Sequence, residues 1–218
     1  MRNMKKLSFL WILALTSIVS AQELKQPTYI VVGSYKASVG NVDSLKVKIE
    51  EQKKNMVLVE YNGLAKIVNT TYATNNLICI KKNKLSDFIE ALVYIRDKAI
   101  EWNGVLEKRG IEQYEKEFKE VSIPKIDLYV NTKLDCYHLF YKHYIKKVRF
   151  VKEGKDSLYK VIFHISGSMN IDAINNWIVS VEDDLEMNNE EINMLIQTLV
   201  DATKLCVEDA DIDNLLVE

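Results

Sequence analysis

Asn75-Asn76-Leu77-Ile78 opens a strand-like run that leads to a helix beginning near Ser86, and Asn175-Asn176-Trp177-Ile178 opens another that leads to a helix beginning near Asn188. The two stretches lie about 100 residues apart, the scale of a duplicated supersecondary unit. In the first helix Ser86 suits an N-cap and Asp87 places a carboxylate in the first turn, where the macrodipole favours it. Ile89, Leu92, Val93, Ala99 and Ile100 fall on helical spacing. Gly104 and Gly110 interrupt that helix, and Glu112, Lys116 and Glu120, four residues apart, suggest a second, exposed helical extension. The later helix opens with Asn188-Asn189-Glu190-Glu191, an Asn cap with Glu at the third position. It should bury Ile192, Leu195, Ile196, Leu199 and Val200 or Ala202.

The segments ahead of each helix read as strands. Tyr29 to Tyr35 is rich in β-branched and aromatic residues. Leu45-Lys46-Val47-Lys48-Ile49-Glu50 alternates apolar with charged residues, the period of a half-buried strand. Met56 to Tyr61 is a further strand, and Asn62-Gly63 after it is a hairpin signal whose partner would be Lys66 to Tyr72. In the second half, Ile126, Leu128 and Val130 alternate with polar residues. In the run from Tyr137 to Phe150 the apolar parity switches, Tyr137, Leu139 and Tyr141 lying on one face and Val148 and Phe150 on the other. A one-residue slip moves every side chain to the opposite face, so the spacing predicts a bulge or turn between Lys142 and Lys147. Tyr159 to Ile165 and Trp177 to Val181 complete the set.

The halves match in order. Pro27 and Pro124 precede their first strands, Val57-Val59-Asn62-Gly63 lies beside Val148-Phe150-Glu153-Gly154, and Ile67-Val68 lies beside Ile162-Phe163. The expected fold is α+β. It has two similar antiparallel β-sheet halves, residues 22–122 and 123–218, each followed by a helix and packed about a pseudo-twofold axis. A sheet with one face to bury accepts the helix of its own or the other half. This element order, over most of the chain after residue 21, is similar to that of the Whirly and PC4-like single-stranded DNA binders. The resemblance implies nucleic-acid binding by a strand-and-helix fold and carries over no functional residue.

Residues 1–21 have the pattern of a secretory signal peptide: Arg2, Lys5 and Lys6, an apolar run from Leu7 to Val19, then Val19-Ser20-Ala21. The run is short of the roughly 20 residues that span a bilayer. The expected location is therefore periplasmic or extracellular, with no membrane span after cleavage. These residues hold three of the 29 basic side chains and none of the 31 acidic ones, so the remainder carries a net charge of about −5. That balance excludes a general polyanion binder and leaves room for a local basic face. Three cysteines, Cys79, Cys136 and Cys206, are too few for a disulfide framework and sit among apolar neighbours, as buried small hydrophobes do.

The most distinctive chemistry lies in residues 137–150, where Tyr141, His143, Lys146, Lys147 and Arg149 interleave cations with aromatic rings. Aromatic faces stack on bases while cations track phosphates; an acidic glycan or an anionic surface suits the same set. The bland alternative is a strand pair with aromatics inward and lysines outward. Cys136, His138, His143 and His164 lack the further ligands of a zinc site, so no metal, cofactor or catalytic residue is expected. Asp209-Ala210-Asp211-Ile212-Asp213-Asn214 begins like a calcium loop without its closing Glu and is expected to be a frayed end. No phosphate-binding glycine loop, G-x-S-x-G or H-E-x-x-H is present. The first functional reading is a secreted non-catalytic binding or structural module for a protein, glycan or surface ligand. The second is a single-stranded nucleic-acid binder, and the third a hydrolase with an unrecognised site.

Overall fold

The structure, a computed structural model, describes residues 28–36, 44–51, 54–67, 70–124, 126–132, 139–154, 158–172 and 177–215. The signal-like segment, Cys136 and His138 lie outside the described residues. The fold is α+β. The first half runs β1 (Tyr29–Lys36), β2 (Ser44–Glu50), β3 (Met56–Ile67), β4 (Thr70–Lys81) and α1 (Lys82–Lys108). The second runs β5 (Gln113–Glu117), β6 (Ile126–Thr132), β7 (Leu139–Glu153), β8 (Tyr159–Asp172), β9 (Trp177–Met187) and α2 (Asn189–Leu215). Each half thus ends in a long hairpin followed by a helix of 27 residues.

All described pairings are antiparallel, in the order β1-β2-β3-β4-β6-β7-β8-β9. Two strands are forks. On one edge of β3, residues 57–61 pair with β2 while Lys66 and Ile67 pair with Ser180 and Val179 of β9. On one edge of β7, residues 139–143 pair with β6 and residues 149–153 with β5. The β3–β9 contact carries hydrogen bonding round from β3 through β4, β6, β7, β8 and β9 and back to β3. Closure of this kind removes exposed strand edges along the ring.

Alternation builds the core. Leu45, Val47 and Ile49 of β2 are fully buried between half-buried Lys46, Lys48 and Glu50. Val57, Val59 and Tyr61 of β3, Phe163 and Ile165 of β8 and Leu185 of β9 join them. The helices close this face. α1 contributes Leu85, Phe88, Leu92, Ile95 and Ala99, and α2 contributes Ile192, Leu195, Leu199 and Ala202. α2 follows β9 yet also packs on β1 and β2, so it covers strands of both halves. Its tight approach requires Gly33, where a Cβ would stand 2.6 Å from Thr198 Cγ2. The Lys82 ammonium donates to the Cys206 carbonyl at 2.6 Å and ties the start of α1 to α2. Cys79 and Cys206 are both buried.

Local signals were decisive at α2. The Asn188 Oδ1 accepts from the Glu191 N–H at 2.9 Å, and a Glu191 carboxylate oxygen accepts from the Asn188 N–H at 2.8 Å, a reciprocal capping box. The expected slip in β7 is a bulge between Ile145 and Lys147. Five other expectations are corrected. First, Asn62-Gly63 is not a turn: β3 runs through it, Asn62 opposite Asn75 and Gly63 opposite Thr74, and the chain reverses after Ile67. Gly154, its supposed counterpart, follows the end of β7 with φ +93°. Second, Ser86 is inside α1, which starts from extended Lys81 with no side-chain cap; the strand β4 hands its chain directly to the helix. Third, Gly104 is passed through, and α1 runs on to Lys108, where Gly110 (φ +65°) closes it with Gly110 N–H to Glu107 C=O and Ile111 N–H to Leu106 C=O, a Schellman pair. Fourth, residues 113–117 form strand β5, because that ending turns the chain back along β7; Ile100 lies on the exposed side of α1. Fifth, Asp209 to Asn214 continues α2 instead of fraying or forming a calcium loop.

Candidate binding cleft beside the β7 bulge

The cationic residues of β7 separate into two groups. Arg149 lies on the solvent face of the sheet and is occupied: its guanidinium donates to Glu115 Oε1 at 2.8 Å and to Asp184 Oδ2 at 3.4 Å. Asp184 also meets His164 Nδ1 at 2.7 Å, and Lys160 bridges Glu186 at 3.1 Å and Glu153 at 3.7 Å. These residues stand on neighbouring strands β5, β7, β8 and β9: His164 and Asp184 are register partners, the Glu115, Glu153 and Glu186 pairs are diagonal, and Arg149 reaches Asp184 across β8. Ile162 and Val151 are buried on this same face, under the stems of such long side chains. The set is a charge lattice in which four carboxylates, Glu115, Asp184, Glu186 and Glu153, hold Arg149 and Lys160.

Lys146 and Lys147 are exposed and enter no ion pair among the described residues. Their position follows from the chain path. The segment after β5 leaves β7 once the Phe118 N–H has donated to the Val148 carbonyl at 2.9 Å, and it returns at Ile126, opposite His143. Between those points it bows away, and the β7 bulge lies across the gap. The result is a cleft of about 310 Å³ with Lys119, Ser122 and Ile123 on one wall and Ile145 to Val148 on the other. Lys119 is likewise without an ion pair among the described residues. Glu117 is the carboxylate on the cleft wall. The structure therefore joins Lys146 and Lys147 with Lys119, a residue absent from the sequence-based set, and assigns Arg149 to the lattice. Tyr141 and His143 pair with Leu128 and Ile126 through their backbones; their side chains lie outside the described residues.

A second polar cluster was not legible in the sequence. Asn76, fully buried on β4, accepts from Thr74 Oγ1 at 2.8 Å and donates to Asp183 Oδ2 on β9 at 3.4 Å. The same Asp183 oxygen accepts from the Leu64 N–H of β3 at 3.3 Å. The buried Tyr61 hydroxyl lies beside Asn76 and Asp183 without a well-formed hydrogen bond among the described residues. This knot sits beside the β3–β9 closure and ties three strands together.

Burial raises the pKa of Asp183 above its ordinary 3.8, opposed by the hydrogen bonds from Leu64 and Asp184. The folded chain then keeps this proton over a pH window in which the unfolded chain has lost it. Stability from the group is greatest below 3.8 and falls as the pH rises through the folded value. Asp183→Asn should therefore gain stability relative to the parent at pH 7 and lose that advantage at pH 3.5. Urea unfolding at the two pH values checks the sign; an advantage that grows toward acid would contradict it.

No protein-family model, curated protein or solved structure matches the chain.

Proposed function

We propose that the protein is a secreted, non-catalytic binding module that presents the cleft beside the β7 bulge to an acidic ligand. The observation that supports this reading is the contrast between two sets of cations. Arg149 and Lys160 are held by carboxylates, while Lys119, Lys146 and Lys147 converge on one cleft without ion pairs among the described residues. Charges already paired and desolvated contribute little to a ligand, whereas unpaired ones are available to it. His164 has an acid beside it in Asp184, as a catalytic histidine would, but it lies on the open face of the sheet within the lattice. Among the described residues its hydrogen-bond partner is Asp184, and no Ser, Thr or Cys stands in hydrogen-bond contact with it as a hydrolase would need. Secretion rests on the signal-like residues 1–21 and predicts a mature N-terminus at Gln22.

The test is a melting panel of acidic glycans, acidic proteins and single-stranded oligonucleotides, each followed in parallel for chemical change. A bound ligand should raise Tm by mass action and be recovered intact. Turnover of any of them that His164→Ala abolishes would overturn the reading in favour of an enzyme.

A further inference from the structure

We infer that the cleft beside the β7 bulge is a site for a compact oxyanion, a phosphate or sulfate group met either as the free ion or as an ester on an acidic oligosaccharide. The inference rests on the binding-module reading and names the chemistry of the ligand.

Three features converge on that chemistry. The first is the charge type. Lys119 comes from one wall and Lys146 and Lys147 from the other, and each ammonium offers three donors on a flexible stem. Rotatable point charges of this kind can meet the tetrahedral oxygens of a phosphate or sulfate from several directions at once. The one guanidinium nearby in sequence, Arg149, is committed to Glu115 and Asp184. Glu117 offsets one of the three positive charges and leaves the cleft cationic.

The second feature is the wall. The exposed lining is mostly polar: Ser122 supplies a hydroxyl, Ile123 and Ile145 are half-buried, and Val148 is buried. At about 310 Å³ the cleft lies at the lower end of small-molecule pockets, enough for one charged group and part of its carrier.

The third feature is what the wall does not offer a nucleobase. Its described aromatic side chain, Phe118, is buried and stacked on Trp102 with ring centroids 4.6 Å apart. Phe150, the aromatic of the basic run whose side chain is described, stacks on Tyr159 within the core. Base recognition by stacking needs an accessible ring, so the described surroundings favour an oxyanion on a sugar over a single-stranded nucleic acid.

The experiment uses the full chain from Gln22 and a fluorescein-labelled heparin hexasaccharide as probe, followed by anisotropy at low salt. Inorganic sulfate, inorganic phosphate and a thymidine oligonucleotide serve as competitors. The cleft variant is Lys119→Gln with Lys146→Gln and Lys147→Gln. The control variant, Lys36→Gln with Lys108→Gln and Arg109→Gln, removes the same charge from exposed positions elsewhere. The cleft variant should bind at least about tenfold more weakly than the parent and respond less to salt, with the control within about threefold. Competition by inorganic sulfate or phosphate identifies the free ion as sufficient; failure to compete, with cleft-dependent binding intact, assigns the group to its sugar carrier. Equal weakening of both variants would overturn the inference and with it the cleft as the module's site, leaving only a non-catalytic binder whose site lies elsewhere. Tighter binding of the oligonucleotide than of the hexasaccharide would overturn it in favour of nucleic acid. A parent chain that binds none of these anions would also overturn it, and the module reading would then stand or fall on the melting panel.

Discussion

Phe150→Ala should cost about 4 kcal/mol of folding stability, the loss expected for a fully buried aromatic ring. Phe150 has no exposed surface and lies at the centre of an aromatic corner where α1, β5, β7 and β8 meet. Tyr159 stacks on it at 5.2 Å, Trp102 meets it edge-on at 5.9 Å, and Tyr114 tilts against it at 6.5 Å. Burial and Glu107 push the Tyr159 phenol up to about 12. The neighbouring Lys152, itself buried, holds its ammonium on Asn103 Oδ1 at 3.0 Å. A cavity beside a buried charge cannot collapse freely, which places the cost toward the upper part of the range for such truncations. Urea unfolding with tryptophan fluorescence measures it through Trp102; a loss below about 1.5 kcal/mol would show that the corner is not packed as described.

Gly63→Ala is the second large effect, with an expected loss of about 3 kcal/mol. The glycine is in mid-strand, and an added Cβ would overlap Asn76 Nδ2 and Asp183 Oδ2. Both are short side chains held by hydrogen bonds in the knot, so neither can swing aside without leaving a buried polar group unpaired. Asn62→Ala, one position earlier and exposed, should change stability by less than about 0.5 kcal/mol. Were Asn62-Gly63 a type I′ turn, both residues would be needed for positive φ and Asn62→Ala would also be costly. Chemical unfolding of the two variants side by side separates these arrangements: comparable losses at 62 and 63 would contradict the strand.

These residues also show what the sequence can and cannot carry. Signals acting over a few residues were legible: the alternation that buries Leu45, Val47 and Ile49, the Asn188–Glu191 box, and the parity change that is a bulge at Lys146. The same holds for the α+β class and the helix that ends each half. Signals that depend on a distant partner were not. Asn62-Gly63 carries the chemistry of a turn, but here the glycine exists for Asn76 and for Asp183, 120 positions away. Residues 113–117 have helical charge spacing and become a strand because β7 offers its edge. At the cleft, Lys146 and Lys147 stood out as part of a basic run, whereas Lys119 did not, since only the bowed β5–β6 connection brings it to them. Arg149 looked equally available until Glu115 and Asp184 were placed beside it by the sheet register.

In the proposed reading, Lys119, Lys146 and Lys147, which enter no ion pair among the described residues, and not the charge lattice around Arg149, receive the acidic ligand. Titrating the ¹⁵N-labelled chain with the heparin hexasaccharide and following backbone amide shifts tests it most directly. Saturable shifts should concentrate at residues 117–123 and 145–148, with Glu115, Arg149, His164 and Asp184 little changed. Shifts centred on those four residues, or along β1, would contradict it.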